Sequence, residues 1–301
     1  MERQAMEKKK RAGGFRLQVN GWGFVIPSIV LFLWLTLWPM IHAFIMSLQK
    51  GKGMVTEFAG LENYIRLFGD PVFISSTKNT ILYFVIQVPI MLVLALVISS
   101  MLNNPKLRFR GFFRTAIFVP CVTSLVAYSL LFKSMFAVDG VVNKALAALH
   151  LIQEPIPWLL DTFWAKVVII MAITWRWTGY NMIFYLSSLQ NIDEGIYEAA
   201  RIDGANAWQN FRYITIPLLK PVILLTAIMS TTGTLQLFDE VVNITSGGPG
   251  GSTTTISQYI YNLSFKYAPD FGYAATVSYA IFIMVAVLSL IQMKVSGDKN
   301  D

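Results

Sequence analysis

Residues 23–48 read GFVIPSIVLFLWLTLWPMIHAFIMSL, a run of 26 residues without a single Asp, Glu, Lys or Arg. A helix needs about 20 mostly apolar residues to cross a hydrocarbon core about 30 Å thick. The run is therefore long enough to span a bilayer. It is too long for the core of a signal peptide and has no small-residue cleavage site, so we expect it to be retained as a membrane helix.

The composition of the whole chain agrees with a membrane protein. Of its 301 residues, 55% are hydrophobic and 14% are charged, whereas soluble domains carry about 25% charge. The apolar residues form long blocks, which predict an all-α polytopic protein with six transmembrane helices. The predicted spans are approximately residues 22–48, 79–101, 112–136, 164–189, 217–241 and 272–295.

The distribution of basic residues predicts the orientation. With the N-terminus inside, the inward segments hold 15 Lys and Arg residues and the outward loops hold 7, as the positive-inside rule requires. We therefore expect a basic cytoplasmic tail at 1–21, a six-span domain at 22–295 and a short cytoplasmic tail at 296–301. This arrangement explains the net charge of +7 without a nucleic-acid partner.

Several kinds of chemistry have no motif in the sequence. The chain has no Gly-x-x-x-x-Gly-Lys-Ser/Thr phosphate loop, and its two histidines, His42 and His150, cannot form a His-Glu-x-x-His zinc site. Nothing beside His42 resembles an activated serine. The single cysteine, Cys121, lies in an apolar run and is expected to pack. We therefore expect no catalytic residues, no metal site and no cofactor bound by this chain.

The inward loop at 191–217 carries the most specific pattern. Asp193 is a suitable N-cap for a short helix, and Gly204 can adopt the positive φ that ends one. A second short helix can begin at Asn206 and continue until Pro217 opens the fifth span. The pattern alone is also compatible with a simple connector, while about 25 residues held at both ends are too few for a DNA-reading helix-turn-helix domain.

The same loop resembles that of a known family. Residues 198–205, EAARIDGA, are similar to the EAA loop of membrane subunits of binding-protein-dependent ABC importers. Further similarity to the sugar-importing, maltose-permease-type branch lies in segments 112–120, 237–241, 247–249 and 252–255. The resemblance covers residues 22–295. The six-span pattern is closer to the shorter multiple-sugar and glycerol-phosphate importers than to the maltose subunit, which has extra spans and a large outer domain.

The resemblance implies a type I-like ABC importer domain in a bacterial inner membrane. Its partners would be a second related permease, two ATPase subunits that bind ATP and Mg²⁺, an extracytoplasmic sugar-binding protein, membrane lipid and the sugar itself. The loop would sit in a cleft of an ATPase subunit. The residues expected to couple to the ATPase are Glu198, Ala199, Ala200, Asp203, Gly204, Ala205 and Pro217.

Polar residues inside spans are costly and therefore mark candidate sites. Sugars are bound by aromatic rings together with amides and hydroxyls. The family's substrate site maps onto Trp177, Tyr180, Met229, Thr232, Gly233 and Gln236. Weaker candidates are Trp175, Arg176, Asn181 and Asp239.

Other roles stay open for these candidates. The span aromatics are compatible with an interfacial belt, and Thr231, Thr232 and Thr234 with hydrogen bonds to their own helix or to neighbouring helices. Thr232, Gln236 and Glu240 recur at helical spacing and are expected on one face of the fifth span. Arg176 could pair with Asp239 or Glu240, or face the pathway and favour an anionic sugar.

The leading hypothesis is an importer permease for a sugar, an oligosaccharide or a sugar derivative. The alternative is an ion-coupled secondary transporter, which would require intramembrane carboxylates and internal repeat symmetry. A membrane-embedded enzyme would need an assembled catalytic set, and an exporter usually carries a fused ATPase or long cytoplasmic extensions. The sequence contains no such catalytic set, no fused ATPase and no long cytoplasmic extension.

Overall fold

The computed structural model describes residues 22–53 and 55–296, so the predicted tail at 1–21 and all but the first residue of the tail at 296–301 lie outside the described residues. Two short strands, β1 (Gln49–Lys52) and β2 (Val55–Phe58), pair antiparallel. The helices in chain order are α1 (Trp22–Ser47), α2 (Glu62–Gly69), α3 (Pro71–Asn103), α4 (Arg110–Val122), α5 (Leu125–Met135), α6 (Val141–Ala148), α7 (Thr162–Leu189), α8 (Glu194–Ile202), α9 (Ala207–Leu235), α10 (Asp239–Ile244), α11 (Ile256–Tyr261) and α12 (Phe271–Ser296).

The predicted all-α membrane fold is confirmed. Within the described residues, five helices are long and apolar enough to cross a bilayer: α1, α3, α7, α9 and α12. Helices satisfy their own backbone polar groups, which lipid cannot do. A sixth crossing exists only if α4 and α5 are counted as one span, because they are bent by 100° relative to each other.

This bend corrects the prediction of a continuous third span at 112–136. Thr123 and Ser124 are both extended, with ψ of 144° and 133°, and Pro120 has already removed a backbone donor from the last turn of α4. Backbone groups at the break find other partners. The Thr123 hydroxyl donates to the Val119 carbonyl (2.9 Å), and Arg176 Nη2 lies 3.5 Å from the Cys121 carbonyl.

The fifth span also differs from its predicted limits of 217–241. Helix α9 begins at Ala207 and ends at Leu235, so the expected second short helix and the span are one helix. A π-helical turn at Phe211–Thr215 changes the hydrogen-bond register just before Pro217, and the helix passes the proline without a break. One continuous rod therefore connects the cytoplasmic loop to the interior of the membrane.

Helix α7 is the most buried span of the described structure, with 56% of its most apolar stretch covered by other parts of the chain. It packs against α3, α4 and α9. The contact with α4 depends on Gly179, because a Cβ at this position would lie 2.1 Å from the Ile117 carbonyl oxygen. The glycine lets the two helices approach to backbone contact.

Asp70 joins the predicted outward ends of α3, α11 and α12. One carboxylate oxygen accepts hydrogen bonds from the backbone N–H groups of Val72 (2.8 Å) and Phe73 (3.3 Å), which caps α3. The other accepts from the hydroxyls of Tyr259 (2.5 Å) and Tyr273 (2.6 Å). Burial alone would raise the pKa of Asp70, but these hydrogen bonds outweigh it and lower the pKa below its ordinary value.

We predict that Gly179→Ala destabilises the protein by about 1–3 kcal/mol, the usual range for overpacking a close contact, because the added methyl group meets a backbone oxygen. Thermal unfolding of the detergent-purified protein measures the effect. Gly111→Ala in α4 is the matched control, since a Cβ there has no neighbour within 4 Å. Equal melting temperatures for the two variants would contradict the proposed contact.

Candidate functional site

Helices α3, α7 and α9 enclose a cleft of about 230 Å³. The cleft carries the mixture of aromatic, amide and hydroxyl groups expected of a sugar site, and none of its lining residues is charged. The lining residues are Gln87, Met91, Trp177, Tyr180, Met229, Ser230, Gly233 and Thr234. Four of the six predicted substrate residues, Trp177, Tyr180, Met229 and Gly233, therefore come together in one place.

The aromatic wall of the cleft is formed by α7. Trp177 and Tyr180 are three residues apart and therefore neighbours on the helix surface. Their ring centroids are 5.6 Å apart, and the rings are nearly perpendicular, at 87°. Trp177 is 37% exposed and Tyr180 is partly buried. Both rings can therefore contact a ligand from the open side of the cleft.

Helix α3 contributes two residues, Gln87 and Met91, that are not among the candidates expected from the sequence. Gln87 is buried and its side-chain oxygen accepts a hydrogen bond from the Thr234 hydroxyl of α9 (2.9 Å). Its amide nitrogen lies 3.0 Å from the sulfur of Met91, one turn along α3. An amide in the middle of an apolar span was a usable signal, because an unpaired polar group there is costly.

Two predicted substrate residues of α9 do not line the cleft. Thr232 donates its hydroxyl to the Ile228 carbonyl of its own helix (3.0 Å). Gln236 is exposed beyond the last residue of α9, where it caps the helix. The expected face of Thr232, Gln236 and Glu240 does not form, because the chain leaves the helix after Leu235 and Glu240 belongs to α10.

The weaker candidates lie around the cleft rather than in its lining. Asn181 bonds to two residues of the lining, donating to the Trp177 carbonyl (3.0 Å) and accepting from the Ser230 hydroxyl (3.4 Å). Trp175 packs on Phe132 of α5, with ring centroids 5.5 Å apart. Asp239 is exposed at the start of α10.

Arg176 follows neither of its two predicted roles. The side chain is 7% exposed and lies over the ring of Tyr128, with 4.7 Å between the guanidinium carbon and the ring centroid. It does not line the cleft. Among the described residues, no carboxylate of Asp239 or Glu240 comes within 4.0 Å of it. Arg176 instead helps to hold α4 and α5 against α7.

The cytoplasmic loop forms the angular element that its sequence predicts. Asp193 caps α8 by accepting from the Gly195 N–H (2.9 Å). At the other end Gly204 has a φ of +84°, and the N–H of Ala205 donates to the Ala200 carbonyl (2.9 Å), the pattern of a Schellman motif. Asn206 and Gln209 then form a capping box that begins α9.

The loop presents its predicted coupling residues to the outside of the chain. Glu198, Ala199, Asp203, Gly204 and Pro217 are exposed, and Ala200 and Ala205 are partly buried. Large apolar side chains accompany them, with Ile202 87% exposed and Trp208 68% exposed. A hydrogen bond of 3.1 Å between the hydroxyls of Tyr197 and Thr215 joins α8 to α9, so the two helices can move as a unit.

Comparison with known proteins identifies close relatives. Residues 91–296 match the family described as binding-protein-dependent transport system inner membrane component. The chain is 60% identical to the lactose transport system permease protein LacF of Rhizobium radiobacter, over 94% of this chain and 95% of that protein. It is 32% identical to the arabinooligosaccharides transport system permease protein AraP of Halalkalibacterium halodurans, over 91% of this chain and 86% of that protein.

The fold has a counterpart among solved structures. A chain in the crystal structure of a bacterial ABC transporter involved in the import of the acidic polysaccharide alginate superposes with a TM-score of 0.84. The match covers 97% of this chain and 100% of that chain at 22% sequence identity. At that identity the likeness establishes the shared fold.

Proposed function

This chain belongs to the family of binding-protein-dependent transport system inner membrane components, and we propose that it is the permease subunit of an ATP-driven importer of a neutral sugar. It forms one side of the sugar pathway and receives mechanical work through the loop at 191–217. The protein hydrolyses nothing itself. Its role is to convert a movement at the cytoplasmic surface into a change in the shape of the cleft.

The observation that carries this proposal is the continuity of α9. The helix has 29 residues and, at 1.5 Å per residue, extends over roughly 44 Å. Its first turn belongs to the exposed loop, and its last two turns carry Met229, Ser230 and Gly233 into the cleft. A displacement of α8 and the start of α9 therefore moves the wall of the cleft directly, as a rigid-body transition requires.

The energy for this displacement comes from separate ATPase subunits. The chain has no phosphate-binding loop of its own, and the loop at 191–217 exposes apolar side chains to the cytoplasm. Small residues at Ala199 and Gly204 let another protein approach closely. Glu198 is available for a charged contact. ATP and Mg²⁺ bind in that partner, and closure of two such ATPases would shift α8 and α9 together.

The chemistry of the cleft favours an uncharged sugar. Its lining consists of aromatic, amide, hydroxyl and thioether groups and does not include Arg176, whose guanidinium lies over the rings of Tyr128 (4.7 Å) and Trp177 (5.6 Å). The relative at 60% identity is named for lactose transport, so a disaccharide of the lactose type is the first substrate to test. Because Trp177 and Met229 remain 37% and 43% exposed, a second permease would close the open side of the pathway, and a sugar-binding protein would deliver the sugar from outside.

We predict that Gly233→Leu blocks uptake of radiolabelled lactose by at least about tenfold. A Cβ at Gly233 meets no atom within 4 Å, so the leucine side chain extends into the cleft without disturbing α9 and occupies the space of the sugar. Gly111→Leu, which also meets open space but does not line the cleft, should transport normally. Equal uptake by the two variants would remove the cleft from the pathway.

Gly204→Asp should uncouple the loop from the ATPase. A residue other than glycine at a φ of +84° is strained by about 1–2 kcal/mol, which corresponds to roughly tenfold in an equilibrium. We therefore expect at least a tenfold loss of lactose uptake with normal amounts of protein in the membrane. Gly250→Asp, at a φ of +56° in an outward loop, is the control. Wild-type uptake by Gly204→Asp would contradict the coupling role of the loop.

A further inference from the structure

We propose that Gln87 is a sugar-binding residue that selects the substrate through a hydrogen bond from its side-chain amide to one sugar hydroxyl. The inference rests on the proposed function and extends it to α3, which carries none of the substrate residues expected from the sequence or from the family resemblance.

The first observation is the position of Gln87. It is 1% exposed and lines the same cleft as Trp177 and Tyr180 of α7. The nearest turns of α3 are apolar. Gln87 is therefore the polar side chain that α3 contributes to the lining of the cleft, and a sugar in contact with the aromatic wall would meet it.

The second observation is the way its two ends are paired. The amide oxygen accepts from the Thr234 hydroxyl (2.9 Å), which fixes the side chain against α9. The amide nitrogen is left facing the sulfur of Met91 at 3.0 Å. A thioether is a weak acceptor, so this N–H gains far more from a hydroxyl oxygen than from its present partner.

The third observation is that a second amide converges on the same sulfur. The nitrogen of Asn181 on α7 lies 3.5 Å from the Met91 sulfur, and Ser230 of α9 donates to the Asn181 oxygen. Methionine side chains are flexible and readily repack. A sugar hydroxyl that displaced the Met91 sulfur would accept hydrogen bonds from the amides of two different helices, Gln87 of α3 and Asn181 of α7.

Gln292 serves as a control for a purely structural role of Gln87. Gln292 of α12 also hydrogen-bonds a threonine of α9, with 2.6 Å between its amide nitrogen and the Thr231 hydroxyl. It lies in a separate, mainly apolar groove with Ile291 and Val295. Both glutamines join a neighbouring helix to α9, but Gln87 alone of the two faces the cleft. Replacement of Gln87 should therefore change the selectivity for sugars, whereas replacement of Gln292 should not.

The experiment measures competition for radiolabelled lactose uptake in cells that carry the complete transporter, using a series of deoxylactoses that each lack one hydroxyl. Wild-type cells should discriminate against one analogue by about tenfold, the effect of one lost hydrogen bond that leaves a polar group unpaired. Gln87→Leu and the straight-chain Gln87→Met should lose that discrimination. Gln292→Leu should keep it. Because the external binding protein is the same in all strains, its own selectivity cancels in the comparison with wild type.

Retention of the full deoxylactose profile by both Gln87 variants, at normal protein levels in the membrane, would overturn the role of Gln87 and leave the proposed function intact. Parallel loss of selectivity in the Gln87 and Gln292 variants would likewise assign Gln87 to helix packing. Failure of wild-type cells to take up any sugar by way of this chain would instead overturn the proposed function, and the inference with it.

Discussion

The packing of α7 against α3, α4 and α9 is the interaction on which the rest of the structure depends. Lipid supplies no hydrophobic drive between helices, so close contact and hydrogen bonds must hold them together. At Gly179 the contact with α4 reaches the backbone. Below the cleft, the hydroxyls of Tyr185 and Thr226 join α7 to α9 at 2.7 Å. These contacts place the aromatic face of α7 at a defined distance from the other two walls of the cleft.

Helix α9 transmits movement from the cytoplasmic loop to the cleft. Its N-terminal, cytoplasmic end is joined to α8 through Tyr197 and Thr215, and its C-terminal end forms a wall of the cleft. The hydrogen bonds of Thr226 to Tyr185 and of Thr234 to Gln87 join α9 to its neighbours, and such bonds cost little to exchange in a membrane, roughly 0.6 kcal/mol on average. A displacement of the loop can therefore shift α9 relative to its neighbouring helices without unfolding the chain. Transport requires such a movement of one rigid helix against the rest of the membrane domain.

Local signals in the sequence predicted the local structure well. The caps at Asp193 and Asn206 and the turn at Gly204 were recognisable because each depends on residues within one or two turns. The spans followed from their length and hydropathy. The bend at Thr123 and Ser124 and the end of α9 at Leu235 were not recognisable, because the partners of the backbone carbonyls nearby are distant in the sequence. Arg176 donates to the Cys121 carbonyl and the Thr255 hydroxyl donates to the Leu237 carbonyl.

The candidate site was half predictable for the same reason. Trp177 and Tyr180 share one helix face, so their proximity follows from helical spacing. The meeting of Gln87 with Thr234 joins residues far apart in the sequence, and no periodicity within one span indicates it. Thr232 bonds to its own helix and Gln236 lies beyond the end of α9, so neither lines the cleft, and their part in sugar binding stays a prediction.

We propose that this chain forms one half of the sugar pathway and is moved by an ATPase that is a different polypeptide. Purification from its native membrane in mild detergent, followed by counting of the subunits by mass spectrometry, tests it most directly. This chain should be recovered with one second permease chain and two copies of an ATPase that carries a phosphate-binding loop. Recovery of the chain alone, in a form that takes up sugar on an ion gradient, would contradict it.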